Sequence, residues 1–241
     1  MKKSKFQNSN LSSANLENAD LSGGDLRGAD LTNANTSFKA HNTIMTDGVI
    51  KNFSMTSEED SFSIAKHENA VTQYSLYAAQ NASSYNGISA KISEDDALVS
   101  GGAVLTIDDG GLLEVVNGKT LTVDNGGILE FNIGEEYEGA MLSLENDTSF
   151  VFGDGEIVIN FSTSADDTGV YTFEVIDTEN GSFVGYDSLV KDENVKLFID
   201  GEQYTGDWYF IATSSGLSVN VPEPAEYAAI LGAIAIAFCV Y

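Results

Sequence analysis

The stretch VLTIDDGGLLEV at 104–115 returns downstream as TLTVDNGGILEF at 120–131. Superposition pairs Leu105 with Leu121, Ile107 with Val123, Gly110 with Gly126, Gly111 with Gly127, Leu113 with Leu129 and Val115 with Phe131. Apolar and polar residues alternate on both sides of each Gly-Gly pair, and alternation with period two is the mark of a half-buried strand. Each copy therefore reads as two strands meeting at a glycine corner, with Leu105, Ile107, Leu113 and Val115 inward and Thr106, Asp108 and Glu114 outward. A tandem copy at fixed displacement predicts stacking, so residues 96–134 are expected to form ~16-residue rungs of a parallel β-solenoid.

A second repeat lies upstream. Leu11, Leu16, Leu21, Leu26 and Leu31 recur at every fifth place, with Phe6 opening the series. Two places before each leucine stands a small residue (Ser9, Ala14, Ala19, Gly24, Ala29), and directly before it Asn10, Asn15, Asp20, Asp25 or Asp30. Period five fits neither helix nor strand, but it fits a square coil whose sides each supply one large and one small inward residue. This pattern resembles the pentapeptide-repeat family, A(D/N)LXX. The resemblance implies a right-handed quadrilateral β-helix with Leu11 to Leu31 central and Ala14, Ala19, Gly24, Ala29 and Ala34 beside them. It holds for about residues 4–38, under two coils, so this segment is expected to stack on the chain downstream. Thr36 and His41 break the register, where a change of coil type is expected. The later rungs, of the form L-T-V-x-x-G-G-x-L, resemble those of autotransporter passengers and other bacterial surface adhesins.

The remaining chain divides by pattern. Residues 1–40 form the pentapeptide segment. Residues 41–95 hold β-formers without clear period and read as an irregular β connection. From 135 to 220 longer alternating segments are separated by Asn146-Asp147, Gly153-Asp154-Gly155 and Asn180-Gly181, which predicts an antiparallel β-sandwich or cap. Residues 221–241 are a distinct tail. The fold class is thus all-β: a right-handed parallel β-solenoid with a C-terminal antiparallel cap and an apolar C-terminal helix.

Composition bounds the function. Eleven basic residues face 37 acidic ones, for a formal charge of −26, a field that repels phosphates and argues against a nucleic-acid partner. The first forty positions hold five basic and four acidic residues, so the acidity belongs to the downstream part. The single cysteine, Cys239, leaves no internal disulfide and no thiolate cluster.

Both prolines of the chain sit in Val221-Pro222-Glu223-Pro224, ahead of the uncharged apolar run 227–241. As a helix this run spans about 22 Å, less than a full bilayer crossing. Pro-Glu-Pro before an apolar helix resembles the PEP-CTERM sorting signal of Gram-negative surface proteins. That resemblance implies an exosortase-type processing enzyme acting at Pro222, Glu223 and Pro224, transient membrane anchorage through the helix, and a destination in the cell envelope, on the surface or in the extracellular matrix. No arginines follow Tyr241 and no apolar stretch follows the basic start MKKSKF, two departures from the sorting pattern that fit either a fragment of a longer chain or an imperfect likeness.

Catalytic motifs are not evident. The Gly-Gly pairs precede strands, which argues for corners over phosphate cradles. His41 and His67, the two histidines, lack an acid–nucleophile constellation. Asp108-Asp109-Gly110 and Asp124-Asn125-Gly126 have the residues of calcium loops, but Asp and Asn are already preferred in turns, so plain turns are the favoured reading and no other cofactor is expected. The expected function is structural or adhesive, with exopolysaccharide as a partner and no catalytic activity. The alternatives are a polysaccharide-active β-helix enzyme, marked by convergent carboxylates, and a pentapeptide protein acting by mimicry.

Overall fold

The computed structural model describes residues 4–67, 88–134, 137, 139–162 and 171–221. The N-terminal repeats form four-sided coils. Lys5 pairs in parallel with Asp25, Asn10 with Asp30 and Asn15 with Asn35, so four five-residue sides complete each turn. Each side is built by two local devices. The Asn or Asp before each leucine accepts a hydrogen bond from the backbone N–H two places on, as in Asn10 from Ser12 at 3.0 Å, Asp25 from Arg27 at 3.1 Å and Asp30 from Thr32 at 2.9 Å. The leucine carbonyl then accepts from the N–H three places on, from Ala14 to Leu11 at 3.1 Å and Ala29 to Leu26 at 2.9 Å. The third place of these turns is left-handed at Ser13, Asn18, Gly23, Gly28 and Asn33, which suits the Asn and Gly most often found there. Leu16, Leu21, Leu26 and Ala29 are buried in their own core, with Phe6, Leu11, Ala14, Ala19 and Leu31 packed around them.

The square coil runs past the break at Thr36. Asp20 still pairs with Lys39 and Asp25 with Ile44, so this turn of the coil is one residue shorter than those before it. The change of coil type comes within the short hairpin of β1 (Thr43–Ile44) and β2 (Ile50–Lys51), whose second strand lies on the first three-sided coil.

From there the chain winds with three sides. The first coil passes Val49 and Met55 before β3 (Ser61–Ile64). The second comprises β4 (Ala90–Ile92), β5 (Ala97–Val99) and β6 (Val104–Ile107); the third β7 (Leu113–Val115), β8 (Thr120–Val123) and β9 (Ile128–Ile133). The fourth comprises β10 (Leu142–Leu144), β11 (Ser149–Phe152) and β12 (Glu156–Phe161); the fifth β13 (Tyr171–Asp177), β14 (Ser182–Val184) and β15 (Val195–Ile199). Face A stacks β4, β7, β10 and β13; face B stacks β5, β8, β11 and β14; face C stacks β3, β6, β9, β12 and β15, all in parallel. Residues 41–95 are therefore not an irregular connection where described: they supply the first coil and open the second.

This pairing corrects the expected rung. Leu105 lies over Leu129 and Leu121 over Ala97, so the two similar stretches occupy different pairs of faces, and β6 of the first stacks on β9 of the second rather than on its equivalent, β8. The unit of repetition is an eight-residue side, seen in Leu105, Leu113, Leu121 and Leu129, and three sides close a coil. The displacement from Leu105 to Leu121 is only two sides, which returns the chain to the wrong face.

The expected sandwich is also corrected. Among the described residues β10 to β15 continue the parallel solenoid, and antiparallel pairing after the second coil is confined to the end. There β16 (Glu202–Gln203) folds back on β15, and β17 (Tyr209–Thr213) with β18 (Gly216–Val221) forms a hairpin on β13. Phe183 and Thr178 donate backbone hydrogen bonds to Ser214 and Ser215 of its turn, so the hairpin closes the last coil. The closure leaves β17 and the two-residue β16 as the outermost strands of faces A and C, and a very short edge strand is one way in which strand addition is discouraged.

The core is a set of like-on-like columns. Phe62, Leu105, Leu129, Ile157 and Val195 stack on face C, and Ala97, Leu121, Phe150 and Phe183 on face B, all buried. Each large member contributes about 1.5–3 kcal/mol by burial. The apolar helix expected at the C-terminus and the Pro222–Pro224 motif lie outside the described residues. Among those described, no helix is long and apolar enough to cross a membrane.

Candidate functional site

Parallel stacking turns single outward residues into rows one strand spacing apart, about 4.8 Å. On face C one such row is Asp108, Asn132 and Asn160. Asn132 Nδ2 donates to Asp108 Oδ1 at 2.9 Å, and Asn160 Nδ2 donates to Asn132 Oδ1 at 2.8 Å. The row is widened by Ser63, whose hydroxyl donates to Asp108, and by Glu130, which accepts from Asn160 and, at 3.5 Å, from Thr106. At its C-terminal side Lys196 Nζ meets Glu156 at 2.8 Å. The result is a polar strip of carboxylates, amides and hydroxyls crossing several coils. Beside it, where the square coils meet face C, a cleft of ≈ 200 Å³ is lined by Lys5, Gly23, Asp25, Ser61, Ser63 and Thr106.

Behind that cleft lies a buried polar staple. Arg27, 1% exposed, grips Asp25 through Nε at 3.0 Å and Nη2 at 2.6 Å, and donates from Nη1 to Ile88 O at 2.9 Å and from Nη2 to Ala65 O at 2.6 Å. One side chain thus ties the last square coil to both ends of the long connection between β3 and β4. Burial alone pushes the Asp25 carboxyl up, but the Arg27 hydrogen bonds and charge, aided by Gln7 Nε2 at 2.6 Å, hold it below the usual range. His67 completes the joint: Ile88 N–H donates to its Nδ1 at 2.9 Å, which places the ring proton on Nε2, 3.2 Å from Asn8 Oδ1. The ring reaches there because Gly28 has no side chain; a Cβ would come within 2.2 Å of Asn8 Oδ1 and 3.1 Å of His67 Nε2. Desolvation, then the Arg27 charge, push the His67 pKa down, so the ring is neutral at neutral pH.

The candidate calcium loops are separated by the winding. Asp108 and Asp109 sit at the corner after face C, where Asp109 Oδ1 accepts Gly134 N–H at 3.0 Å. Asp124 sits at the corner after face B and accepts the Asn125 and Asp154 N–H groups at 2.8 and 3.2 Å. The Asp154 backbone N–H, then its side chain, hold Asp124 below the usual carboxylate range. Among the described residues no group of three or more His, Cys, Asp or Glu side chains is arranged to hold a metal.

Of the residues singled out in the sequence, Pro222, Glu223 and Pro224 lie outside the described residues, and His67 falls in the staple rather than in a catalytic constellation. The face C strip and Arg27 were not anticipated. A strip made by residues one full coil apart shows only once the coil length is known, and an arginine at a variable repeat position carries no sign of burial.

No curated protein and no solved structure matches this chain. What does match is the segment whose five-residue turns are described above: residues 1–35 fit the Pentapeptide repeats family, in eight copies.

Proposed function

We propose that the protein is a structural or adhesive component of a Gram-negative cell surface or extracellular matrix, delivered through the Pro222–Pro224 tail and presenting its solenoid to exopolysaccharide. The face C strip carries this reading. Its carboxylates, amides and hydroxyls form a row of acceptors and donors suited to the hydroxyl groups of an extended glycan. The charge of −26 favours a solvated, extended surface over association with nucleic acid.

Two features favour presentation over hydrolysis. Glycoside cleavage needs two carboxyl groups flanking one bond, with one of them kept protonated. Here Asp124 and Asp154 lie at one corner, Asp108 and Glu130 on face C and Glu114 on face A, and among the described residues the carboxyls whose pKa is displaced, Asp25, Asp30 and Asp124, are held below the usual range.

The test has two parts. Cells expressing the gene with its native flanks are fractionated, and the product's intact mass is compared with that of Pro222→Ala. Envelope or matrix location with the tail lost only in the wild type is expected; a cytosolic product retaining Tyr241 sinks the sorting reading. Retention on extracted exopolysaccharide is then compared with that of Glu130→Gln/Asn160→Ala, which is expected to bind several-fold more weakly; equal retention removes face C from the account.

A further inference from the structure

Among the described residues, five of the six exposed large apolar side chains gather at the C-terminal end: Val184, Tyr186, Val190, Tyr209 and Ile211, the last two 56% and 55% exposed. The closing hairpin explains the clustering. Leu217 and Val219 turn inward on the core with Phe210 and Ala212 packed beside them, and alternation then puts Tyr209 and Ile211 on the opposite face. The 3-10 turn Tyr186–Ser188 lies against β17 and brings Tyr186 to the same region. Beneath it Trp208 is 2% exposed, under the ammonium of Lys191, and its indole N–H has no hydrogen-bond partner.

The position of this patch along the chain identifies its occupant. Tyr209 pairs with Asn220, and β18 ends one residue later at Val221, so the last described residue of the chain lies beside the patch. The chain from 222 onward then carries the apolar run 227–241. We propose that the end of the last coil is a seat for a lipid bilayer surface, on which Tyr186, Tyr209 and Ile211 rest at the headgroup boundary while the tail is inserted. The proposal rests on the membrane reading of that tail. Tyrosine suits this boundary because its ring is apolar and its hydroxyl stays wet. An apolar patch of this kind at the root of an apolar segment needs cover that water does not provide. Asp187, Asp192 and Asp207, close by in sequence, oppose anionic headgroups, so zwitterionic lipid is the expected surface.

The only tryptophan, Trp208, reports on the seat. The full chain is reconstituted with phosphatidylcholine vesicles whose acyl chains are brominated near the headgroup, and flotation and Trp208 emission are recorded for wild type and Tyr209→Ser/Ile211→Ser. The expected result is co-flotation of both, with loss of most Trp208 emission in the wild type only and identical far-UV circular dichroism. Co-flotation of the wild type with unchanged emission overturns the seat and leaves the tail reading standing. Absence of co-flotation overturns both. A lipid-free wild-type dimer that the double substitution dissociates assigns the patch to a second copy and also overturns the seat.

Discussion

Arg27 and Asp25, near neighbours on the last square coil, form a buried ion pair at 2.6 Å whose arginine also holds the carbonyls of Ala65 and Ile88. Removing one partner of such a pair leaves an uncompensated charge and costs about 3–5 kcal/mol. Arg27→Met is expected to lower the urea midpoint accordingly. Asp25→Leu/Arg27→Met is expected to recover part of the loss, but not all, because the two carbonyls stay unpaired. A double substitution no better than the single one would show that the carbonyls, not the carboxylate, dominate.

Acid is expected to weaken this joint. The folded-state pKa of His67 is lowered from 6.5 and that of Asp25 from 3.8. In both cases the unfolded chain binds more protons at intermediate pH, so stability rises with pH across each interval. The contribution of His67 is complete above pH 6.5 and is lost as pH falls through its lower folded value; that of Asp25 is complete above pH 3.8 and is lost further down. His67→Gln is expected to flatten the first of these losses in urea titrations at several pH values. An unchanged profile would mean that the imidazole does not titrate differently on folding.

The two glycines of each corner answer different demands. Gly126 has φ 74, a left-handed place, while a Cβ on Gly127 would come within 2.2 Å of Val99 O in the coil above. Gly127→Ala therefore forces two coils apart, and Gly126→Ala meets no atom nearer than Gly102 N at 3.9 Å but keeps the φ strain. Gly126→Ala is expected to cost about 1 kcal/mol and Gly127→Ala markedly more, read as the difference in thermal midpoints. The reverse order would show that backbone strain outweighs coil spacing.

Column residues and surface residues on the same face should differ sharply. Leu121 is fully buried between Ala97 and Phe150, whereas Leu98, one position along from Ala97, is 38% exposed. Leu121→Ala is expected to cost about 2–5 kcal/mol through the lost packing and residual cavity. Leu98→Ala should fall within about 0.5 kcal/mol of wild type. Chemical denaturation of the pair decides this directly.

The sequence made the solenoid legible at the level of one side but not of one turn. Alternation at Leu105-Ile107 and Leu121-Val123 reports which residues face inward, since that depends only on the nearest neighbours along the strand. Nothing in the local pattern says whether two sides or three close the coil. That depends on corner angles, and the likeness of 104–115 to 120–131 favours the even multiple. Past Phe131 some corners lengthen while others keep their length or shorten, so the columns through Phe150 and Ile157 lose their period and read as separate antiparallel strands. The square coils were plainer, because each side carries its own Asn or Asp turn. The staple was hidden, because Arg27, Asp25 and His67 are joined by a fold and not by a spacing.

Each coil after the first crosses from face A to face B over a corner of one constant length, at 93–96, 116–119, 145–148 and 178–181. From face C to the next face A the crossing varies, taking 65–89, 108–112, 134–141 and 162–170 in turn. One edge of the prism is thus a fixed spine and another an open margin. New sequence can be written along that margin without rewinding the rest, and a reporter or epitope grafted there should be carried where the spine would refuse it.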